Sequence, residues 1–365
     1  MKCGRWHKRT RRGPVHATIA PATLAAPMNP TSSRPDALRR FVAANLSGAV
    51  SAPVPASADA SFRSYWRVST GTQSWIVMDA PPALEDIRPW LDIGERLRGA
   101  GLHAPAVLAA DAEQGFVLME DLGNRTYLPE LTDASVDRLY GAALDALLVM
   151  QQRVSADGLP LFDATRTIPE MELLGEWFLR RHLAFDPGCD DWDVIENAYR
   201  TLAIAADEQP RRFMHRDYHS RNLLITAASS PAIIDFQGAM LGPIAYDLAS
   251  LLRDCYIAWP VARVDAWVEA YRQRLAAAGL LEVEGRQFRR WFDLIGLQRH
   301  IKVLGLFCRL NYRDGKSQYL RDLPLVWEYV RSVALRYPEL ADFIGVLERA
   351  VAGRDVAATT GAATA

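Results

Sequence analysis

The stretch that most constrains this chain runs from residue 213 to residue 236, where polar residues are enclosed by short apolar runs. Asp217 and Asn222 lie in the polar part, and Asp235 comes thirteen residues after Asn222, next to a second apolar run. Apolar runs of this length are typical of buried strands, so the pattern predicts a rigid loop with all three side chains at one place. A carboxylate that accepts a hydroxyl proton beside two oxygen ligands for Mg²⁺ is what phosphoryl transfer requires.

This stretch resembles the catalytic loop H-x-D-x-x-x-x-N and the metal-binding D-F-x of protein kinases and aminoglycoside phosphotransferases. The resemblance implies that Asp217 is the catalytic base, that Asn222 and Asp235 bind Mg²⁺, and that ATP is the phosphoryl donor. His215 is expected to brace the loop backbone, whereas His219 is either a structural histidine or a substrate contact. The alternative is a polar loop whose Asp and Asn only cap turns, but both halves of the pattern at this separation favour the catalytic interpretation.

The order of predicted elements favours an α+β, two-lobed, protein-kinase-like fold, with a small antiparallel sheet followed by a mostly helical lobe. The nucleotide-binding lobe is expected at 36–122 and the catalytic and substrate lobe at 123–352. Strands are predicted at 50–54, 65–69, 74–78, 106–110 and 115–120. Helices are predicted at 36–46, 84–99, 133–153, 170–185, 190–208, 244–257, 261–278, 284–310, 324–336 and 338–351.

The nucleotide site follows from the kinase resemblance. The strand at 116–120 leads out of the first lobe, as the kinase hinge does, so its end is expected to bind adenine. The turn at 58–64 stands where the phosphate-covering loop should be, although it lacks the glycines of a kinase loop. The implied nucleotide-binding residues are Ser61, Phe62, Arg63, Met78, Met119, Glu120 and Leu122.

Lysine usage sets this chain apart from most kinases. Its four lysines are at positions 2, 8, 302 and 316, so the third strand lacks the lysine that contacts the α- and β-phosphates. Either an arginine carries the phosphate charge, with Arg63, Arg67 and Arg88 as candidates, or the protein is a pseudokinase that binds nucleotide without catalysis. The intact base and metal ligands favour the first alternative.

Longer strings narrow the resemblance to one branch. Residues 58–68, 76–82, 234–260 and 297–316 are similar to the anomeric N-acetylmuramate/N-acetylglucosamine kinases of bacterial peptidoglycan recycling, a branch in which the strand lysine is also absent. The resemblance implies transfer of the γ-phosphate of ATP to the 1-hydroxyl of the amino sugar, which gives the α-1-phosphate. Gly238 departs from the branch, where an acidic residue is more usual.

A cationic helix face supports an anionic acceptor. Arg299, Lys302 and Arg309 fall on one side of the helix at 284–310, where they could receive the lactyl carboxylate of N-acetylmuramate. The alternative is that these cations pair with nearby acids or are solvated. Arg253 and Asp254 are further candidates for holding sugar hydroxyls. A cationic aminoglycoside would prefer an acidic cleft, and a choline or homoserine kinase remains a third possibility.

Charge and composition restrict the kinds of binding partner and the compartment that we expect for this protein. The net charge is −1 overall but −8 for 36–365, which argues against nucleic-acid binding. No charge-free apolar run of about 18 residues occurs, so no membrane-spanning helix is expected. Four widely spaced cysteines favour a reducing cytoplasm, without a zinc site or disulfides. A monomer that binds ATP and a small amino sugar is expected.

Both ends of the chain are predicted to lie outside the fold. Residues 1–35 are basic and rich in Pro, Ala, Ser and Thr, so a disordered tail is expected. Met28 is a candidate start, which would leave 1–27 untranslated. A secretory signal is the alternative, but prolines at 14, 21 and 27 interrupt any apolar core there. Residues 353–365 are expected to form a flexible tail.

Overall fold

The computed structural model describes residues 33–58, 62–227 and 231–359. Most of the predicted tail at 1–35 and the last residues of the predicted tail at 353–365 therefore lie outside the described residues. Within those ranges the chain forms a small antiparallel sheet followed by a mostly helical lobe, which confirms the predicted fold class.

The N-terminal lobe is a five-stranded antiparallel sheet between two helices. Helix α1 packs Leu38, Phe41 and Val42 against one face of the sheet, and α2 packs Ile93 and Leu97 against the other. The two faces differ because successive strand residues point in opposite directions. The elements are α1 Arg34–Asn45, β1 Val54–Ala58, β2 Ser64–Thr70, β3 Gln73–Asp79, α2 Arg88–Gly99, β4 Val107–Asp111 and β5 Phe116–Glu120, with strand order β1-β2-β3-β5-β4.

The predicted first strand is displaced. The sequence predicted a strand at 50–54, but β1 begins at Val54, which pairs with Arg67 of β2. The strand contains Pro55, which has no N–H to donate to a neighbouring strand. Because β1 is the edge strand of the sheet, the missing donor can face away from the ladder at no cost.

The C-terminal lobe consists of helices around two short strand pairs. Strand β6 pairs with β9 and β7 with β8, all antiparallel. The central helix α8 packs against α4, α5, α6 and α9 and is the longest of the described helices. The elements are α3 Val136–Arg153, α4 Ala164–Met171, a π-helical segment Leu174–His182, α5 Cys189–Asp207, β6 Arg211–Met214, β7 Leu223–Leu224, β8 Ala232–Ile233, β9 Met240–Pro243, α6 Tyr246–Leu252, α7 Val261–Ala277, α8 Gly285–Asp314, α9 Leu323–Ala334 and α10 Ala341–Val351.

Two predicted helices are wrong in extent because of tertiary contacts. The helix predicted at 170–185 is divided between α4 and the π-helical segment. A Cβ on Gly305 of α8 would lie 2.2 Å from the carbonyl carbon of Leu173, so we attribute the division to this close packing. The helix predicted at 244–257 ends at Leu252, and the chain then turns so that Asp254 binds the catalytic loop.

The predicted C-terminal tail is partly wrong. Val356 is buried in the core of the helical lobe, and its carbonyl oxygen lies 2.8 Å from Nε2 of the buried His182. Burial of an apolar side chain and a satisfied buried histidine tie this segment to the fold. Separately, no helix within the described ranges is long and apolar enough to cross a membrane.

Candidate active site

The catalytic loop connects β6 to β7, and the buried carboxylate of Asp247 binds its main chain. Asp247 accepts hydrogen bonds from the main-chain N–H of His215, at 2.7 Å, and of Arg216, at 2.9 Å. His215 is fully buried, and burial lowers its pKa to about 4. Its Nδ1 lies 3.3 Å from the N–H of Asp217 and its Nε2 3.1 Å from the carbonyl of Ile234. The prediction that His215 braces the loop backbone is confirmed.

The structure brings Asp217, Asn222 and Asp235 together. Nδ2 of Asn222 donates to the main-chain carbonyl of Asp217 at 2.9 Å and lies 3.3 Å from Oδ2 of Asp235. This orientation leaves Oδ1 of Asn222 available as a ligand. Asp235 has φ +63°, a left-handed conformation that Asp tolerates better than most residues, and its Oδ1 accepts from Nε2 of Gln237 at 2.7 Å.

The side chains of Asn222 and Asp235 are chemically suited to bind Mg²⁺ together with the phosphates of a nucleotide. Among the described residues, no group of three or more His, Cys, Asp or Glu side chains could hold a metal. Mg²⁺ sites of kinases need only one or two protein oxygen ligands, because phosphate oxygens and water complete the octahedron. Asp235 and the amide oxygen of Asn222 could supply that set.

Cations determine the ionisation of Asp217. Burial raises the pKa of this carboxyl, but positive charges nearby, Lys302 first, outweigh burial and hold the pKa below its ordinary value. Arg299 and Arg216 act in the same direction. Asp217 is therefore ionised at neutral pH and can accept a hydrogen bond from an acceptor hydroxyl.

The predicted cationic face of α8 is an interior one. Nη1 of Arg299 lies 3.1 Å from Sγ of Cys255, and its side chain is only 5% exposed. Nζ of Lys302 lies 3.5 Å from Oε2 of Glu170, and burial lowers the pKa of this lysine. Of the three predicted cations, Arg299 and Lys302 act on Asp217, and Arg309 lies further along the helix.

Arg253 and Asp254, which are predicted to hold sugar hydroxyls, each have a partner within the protein. The Arg253 guanidinium is buried and forms an ion pair with Asp293. Asp254 accepts hydrogen bonds from the N–H and hydroxyl of Ser220 in the catalytic loop, the former at 2.9 Å. His219 is buried as well, with its main-chain N–H 3.1 Å from the carbonyl of Asp217.

One of the three candidate arginines lies near Asp235, the predicted metal ligand. Nη2 of Arg63 is 3.6 Å from Oδ1 of Asp235, and its Nε is 3.3 Å from Oε1 of Glu85. Arg67 instead pairs with Asp121, and the side chain of Arg88 is 77% exposed. Arg63 therefore takes a position from which a guanidinium could contact nucleotide phosphates.

Three of the remaining predicted nucleotide residues, Met78, Met119 and Glu120, lie on strands of the sheet. Met78 and Met119 are buried on the face that carries α2. The main-chain N–H of Glu120 donates to the carbonyl of Ala106 at 2.8 Å. Leu122 follows at the exit from the lobe, and Phe62 is exposed. Ser61 lies outside the described residues.

Sequence reasoning missed several residues that complete the site. Glu85 reaches Arg63, and Gln237 reaches Asp235. Glu170 of α4 binds Nη2 of Arg216 at 2.5 Å and also lies near Lys302. Gln237 and Arg216 lie next to the motif residues in the sequence, so their positions alone could have marked them as candidate site residues. Glu85 and Glu170 carry no local signal, since only folding brings them there.

Known proteins resemble this chain in sequence and in fold. The phosphotransferase enzyme family model matches residues 53–292. The N-acetylmuramate/N-acetylglucosamine kinase of Pseudomonas aeruginosa is 42% identical over 290 residues, covering 79% of this chain and 86% of the relative. That of Pseudomonas putida is 39% identical over 302 residues, covering 82% and 88%.

A solved structure supports the fold. The choline kinase of Streptococcus pneumoniae aligns with a TM-score of 0.59 at 13% identity, covering 81% of this chain and 98% of that chain. At this identity the likeness concerns the fold alone. Because the family match spans both lobes and the curated relatives are 39% and 42% identical over most of their length, this chain belongs to the phosphotransferase enzyme family and, within it, to the group of the N-acetylmuramate/N-acetylglucosamine kinases.

Proposed function

We propose that this protein is an ATP- and Mg²⁺-dependent sugar kinase of peptidoglycan recycling. It phosphorylates the anomeric 1-hydroxyl of N-acetylmuramate and N-acetylglucosamine to the α-1-phosphate. The observation that carries the proposal is the position of the Asn222 amide, 2.9 Å from the Asp217 carbonyl and 3.3 Å from the Asp235 carboxylate. This arrangement suits a base and two metal ligands around one transferred phosphoryl group. The names of the relatives support the two acceptors.

In the proposed reaction, the sugar 1-hydroxyl oxygen bonds to the γ-phosphorus of ATP while the bond to the β–γ bridging oxygen breaks and ADP leaves. Asp217 accepts the proton of that hydroxyl. Because neighbouring cations hold the pKa of Asp217 low, it is a weak base, and its main contribution is to orient the hydroxyl. The proton moves late, when the oxygen is already bonded to phosphorus.

The nucleotide is held by both lobes in this proposal. Asn222 and Asp235 would hold Mg²⁺, which supplies neutralisation of phosphate charge when bound. Arg63 would contact the phosphates in place of the absent lysine, since its guanidinium lies 3.6 Å from Asp235. Adenine would bind between Met119 and the main chain of Glu120 and Leu122. The need for ATP makes the cytoplasm the proposed compartment.

The test is Mg²⁺-dependent ADP release with N-acetylmuramate, N-acetylglucosamine and kanamycin as separate acceptors, with phosphorus NMR of the products. We expect an α-1-phosphate from each amino sugar and no product from kanamycin. Turnover with kanamycin alone would make the protein an aminoglycoside phosphotransferase. Nucleotide binding without turnover on any acceptor would make it a pseudokinase.

The cations around Asp217 favour a sugar over an aminoglycoside. Three positive side chains, Lys302, Arg299 and Arg216, lower the pKa of the carboxyl that must face the acceptor. A polycationic acceptor would be repelled by them, whereas a neutral or anionic sugar would not.

A further inference from the structure

Arg221 is a catalytic-loop residue that the proposed reaction does not use. It immediately precedes Asn222, the predicted metal ligand, and its side chain is 31% exposed. Its Nη2 lies 3.8 Å from Oδ2 of Asp322, a distance too long for a hydrogen bond. In the part of the chain that the structure describes, the guanidinium donates no hydrogen bond to a protein group. Its N–H donors are therefore available to a ligand.

An aromatic ring holds this guanidinium in place. Cζ of Arg221 lies 3.5 Å from the centroid of the Tyr256 ring, a cation–π contact. The Tyr256 ring itself stacks on Phe307 of α8 and meets His219 edge to face, with centroids 6.2 Å and 5.5 Å apart. A guanidinium supported by a packed ring loses little side-chain freedom when it binds a ligand, which favours affinity.

The same contacts connect Arg221 to the predicted base. Nε2 of His219 lies 3.5 Å from Nδ2 of Asn222, whose amide donates to the carbonyl of Asp217 at 2.9 Å. The N–H of His219 also donates to that carbonyl, at 3.1 Å, which keeps the loop between Asp217 and Arg221 compact. Because Arg221 belongs to the C-terminal lobe and follows the base in this loop, we expect it to face the acceptor rather than adenine at the hinge.

The charge of Arg221 is compensated within the protein. Asp322 lies 3.8 Å from Arg221 and 3.7 Å from Nε of Arg321. Asp254 is close enough to act on the pKa of Asp322, so two carboxylates accompany the two guanidiniums. Balanced charges give an anionic ligand little electrostatic advantage. The donors of Arg221 therefore suit the oxygen of an uncharged group better than a carboxylate or a phosphate.

We propose that Arg221 binds the carbonyl oxygen of the 2-acetamido group of the acceptor sugar while the 1-hydroxyl lies at Asp217. The inference rests on the proposed function and names the residue that recognises the substituent shared by N-acetylmuramate and N-acetylglucosamine. An amide carbonyl accepts hydrogen bonds without a net charge, which matches donors whose charge Asp322 compensates. The carbon that bears this group is bonded to the reacting carbon, so one sugar can contact both residues.

The test is Arg221→Met, with kcat/KM measured for N-acetylmuramate, N-acetylglucosamine and glucose. Methionine keeps an unbranched side chain on Tyr256 but has no donor, and glucose has a hydroxyl in place of the acetamido group. We expect kcat/KM to fall about tenfold for both amino sugars and by less than about threefold for glucose. Arg321→Met is the matched control, because Arg321 approaches the same Asp322 but is 71% exposed, and it should keep the wild-type values.

Two further measurements separate ligand binding from folding. The Kd for ATP with Mg²⁺ should be unchanged in Arg221→Met, since the nucleotide is assigned to other residues. Arg221→Lys keeps the charge and a donor, so kcat/KM for both amino sugars should fall only about threefold. This milder variant keeps the proposal testable if Arg221→Met does not fold.

A loss confined to N-acetylmuramate would mean that Arg221 binds its lactyl carboxylate, and it would overturn the inference. So would an equal loss for all three acceptors, which would indicate a role in the loop itself, or unchanged values for all three. In each case, wild-type turnover of the amino sugars would leave the proposed function standing. A wild-type protein that phosphorylates neither amino sugar would overturn the proposed function and this inference together.

Discussion

The side-chain amide of Asn222 donates a hydrogen bond of 2.9 Å to the main-chain carbonyl of Asp217. This bond fixes the orientation of the amide, whose nitrogen also lies 3.3 Å from Oδ2 of Asp235. A shift of Asn222 would therefore move both the predicted metal ligand and the loop that carries the predicted base. The predicted metal ligand Asn222 and the predicted base Asp217 stand five positions apart in one short loop, so a displacement of one moves the other.

Replacing Asp217 by Asn should remove turnover but keep nucleotide binding. We expect kcat to fall about 10²- to 10⁴-fold, since the amide can orient a hydroxyl but cannot take its proton. The Kd for ATP should change little, because Asn222 is held by the main chain of Asp217 and not by its carboxylate. Turnover and calorimetry measure the two effects, with Asp186→Asn on an 81% exposed side chain as the control. Turnover close to wild type would remove Asp217 from the role of base.

Asp235→Asn should weaken the Mg²⁺-dependent part of ATP binding. Asparagine tolerates the left-handed backbone at φ +63°, so the variant changes the charge while it keeps the fold. We expect calorimetry to give an affinity for ATP that is about tenfold lower with Mg²⁺ and nearly unchanged with EDTA. An equal loss under both conditions would show that the residue serves the fold and not the metal.

Arg63→Met should raise the KM for ATP about tenfold, and Arg63→Lys should restore part of the loss. The reason is that the Arg63 guanidinium lies 3.6 Å from Asp235, in a lobe without lysine. Steady-state kinetics at saturating sugar measures the effect. Arg200→Met, at an exposed position on α5, is the matched control. An unchanged KM for ATP in Arg63→Met would mean that another group binds the phosphates.

The pH dependence of kcat/KM should reveal the effect of Lys302 on the pKa of Asp217. The base acts when ionised, so activity is lost as pH falls through the pKa of Asp217, and cations, Lys302 first among them, hold that pKa low against burial. In Lys302→Met the pKa should rise, and the acid limb of kcat/KM should move to higher pH.

Profiles with N-acetylglucosamine are preferable, because this neutral acceptor does not titrate itself. Lys316→Met, at the position just beyond the end of α8, is the control and should keep the wild-type limb. An acid limb at the same pH in Lys302→Met and wild type would contradict the assigned electrostatic role.

Asp247→Asn should lower both stability and kcat. The carboxylate accepts the N–H groups of His215 and Arg216, and an amide offers one acceptor oxygen and a donor that would face an N–H. We expect the free energy of unfolding to fall by about 1–3 kcal/mol. Urea denaturation measures it, with Asp145→Asn at an exposed ion pair as the control. Stability equal to that of the control would mean that the loop does not depend on this carboxylate.

The predicted helix boundaries failed where distant parts of the chain meet. The helix predicted at 170–185 has unbroken apolar periodicity, but it is divided near Leu173, where the chain packs closely against Gly305 of α8. Nor does the sequence show that Arg253 pairs with Asp293 or that Asp254 binds Ser220. Local pattern carries no information about such partners, since their separations along the chain are tens of residues.

The sequence by itself determined the two-lobed fold and the grouping of Asp217, Asn222 and Asp235. It could do so because the spacing of these residues lies within one loop and one short strand pair, where local geometry decides proximity. Only the tertiary structure decided that Arg63, and not Arg67 or Arg88, lies at Asp235. The tertiary structure likewise places Arg299 and Lys302 of α8 close to Asp217, and it forms a cavity that Arg216 lines. These features depend on how the lobes and helices pack, and packing energy is a property of the whole molecule rather than of any segment.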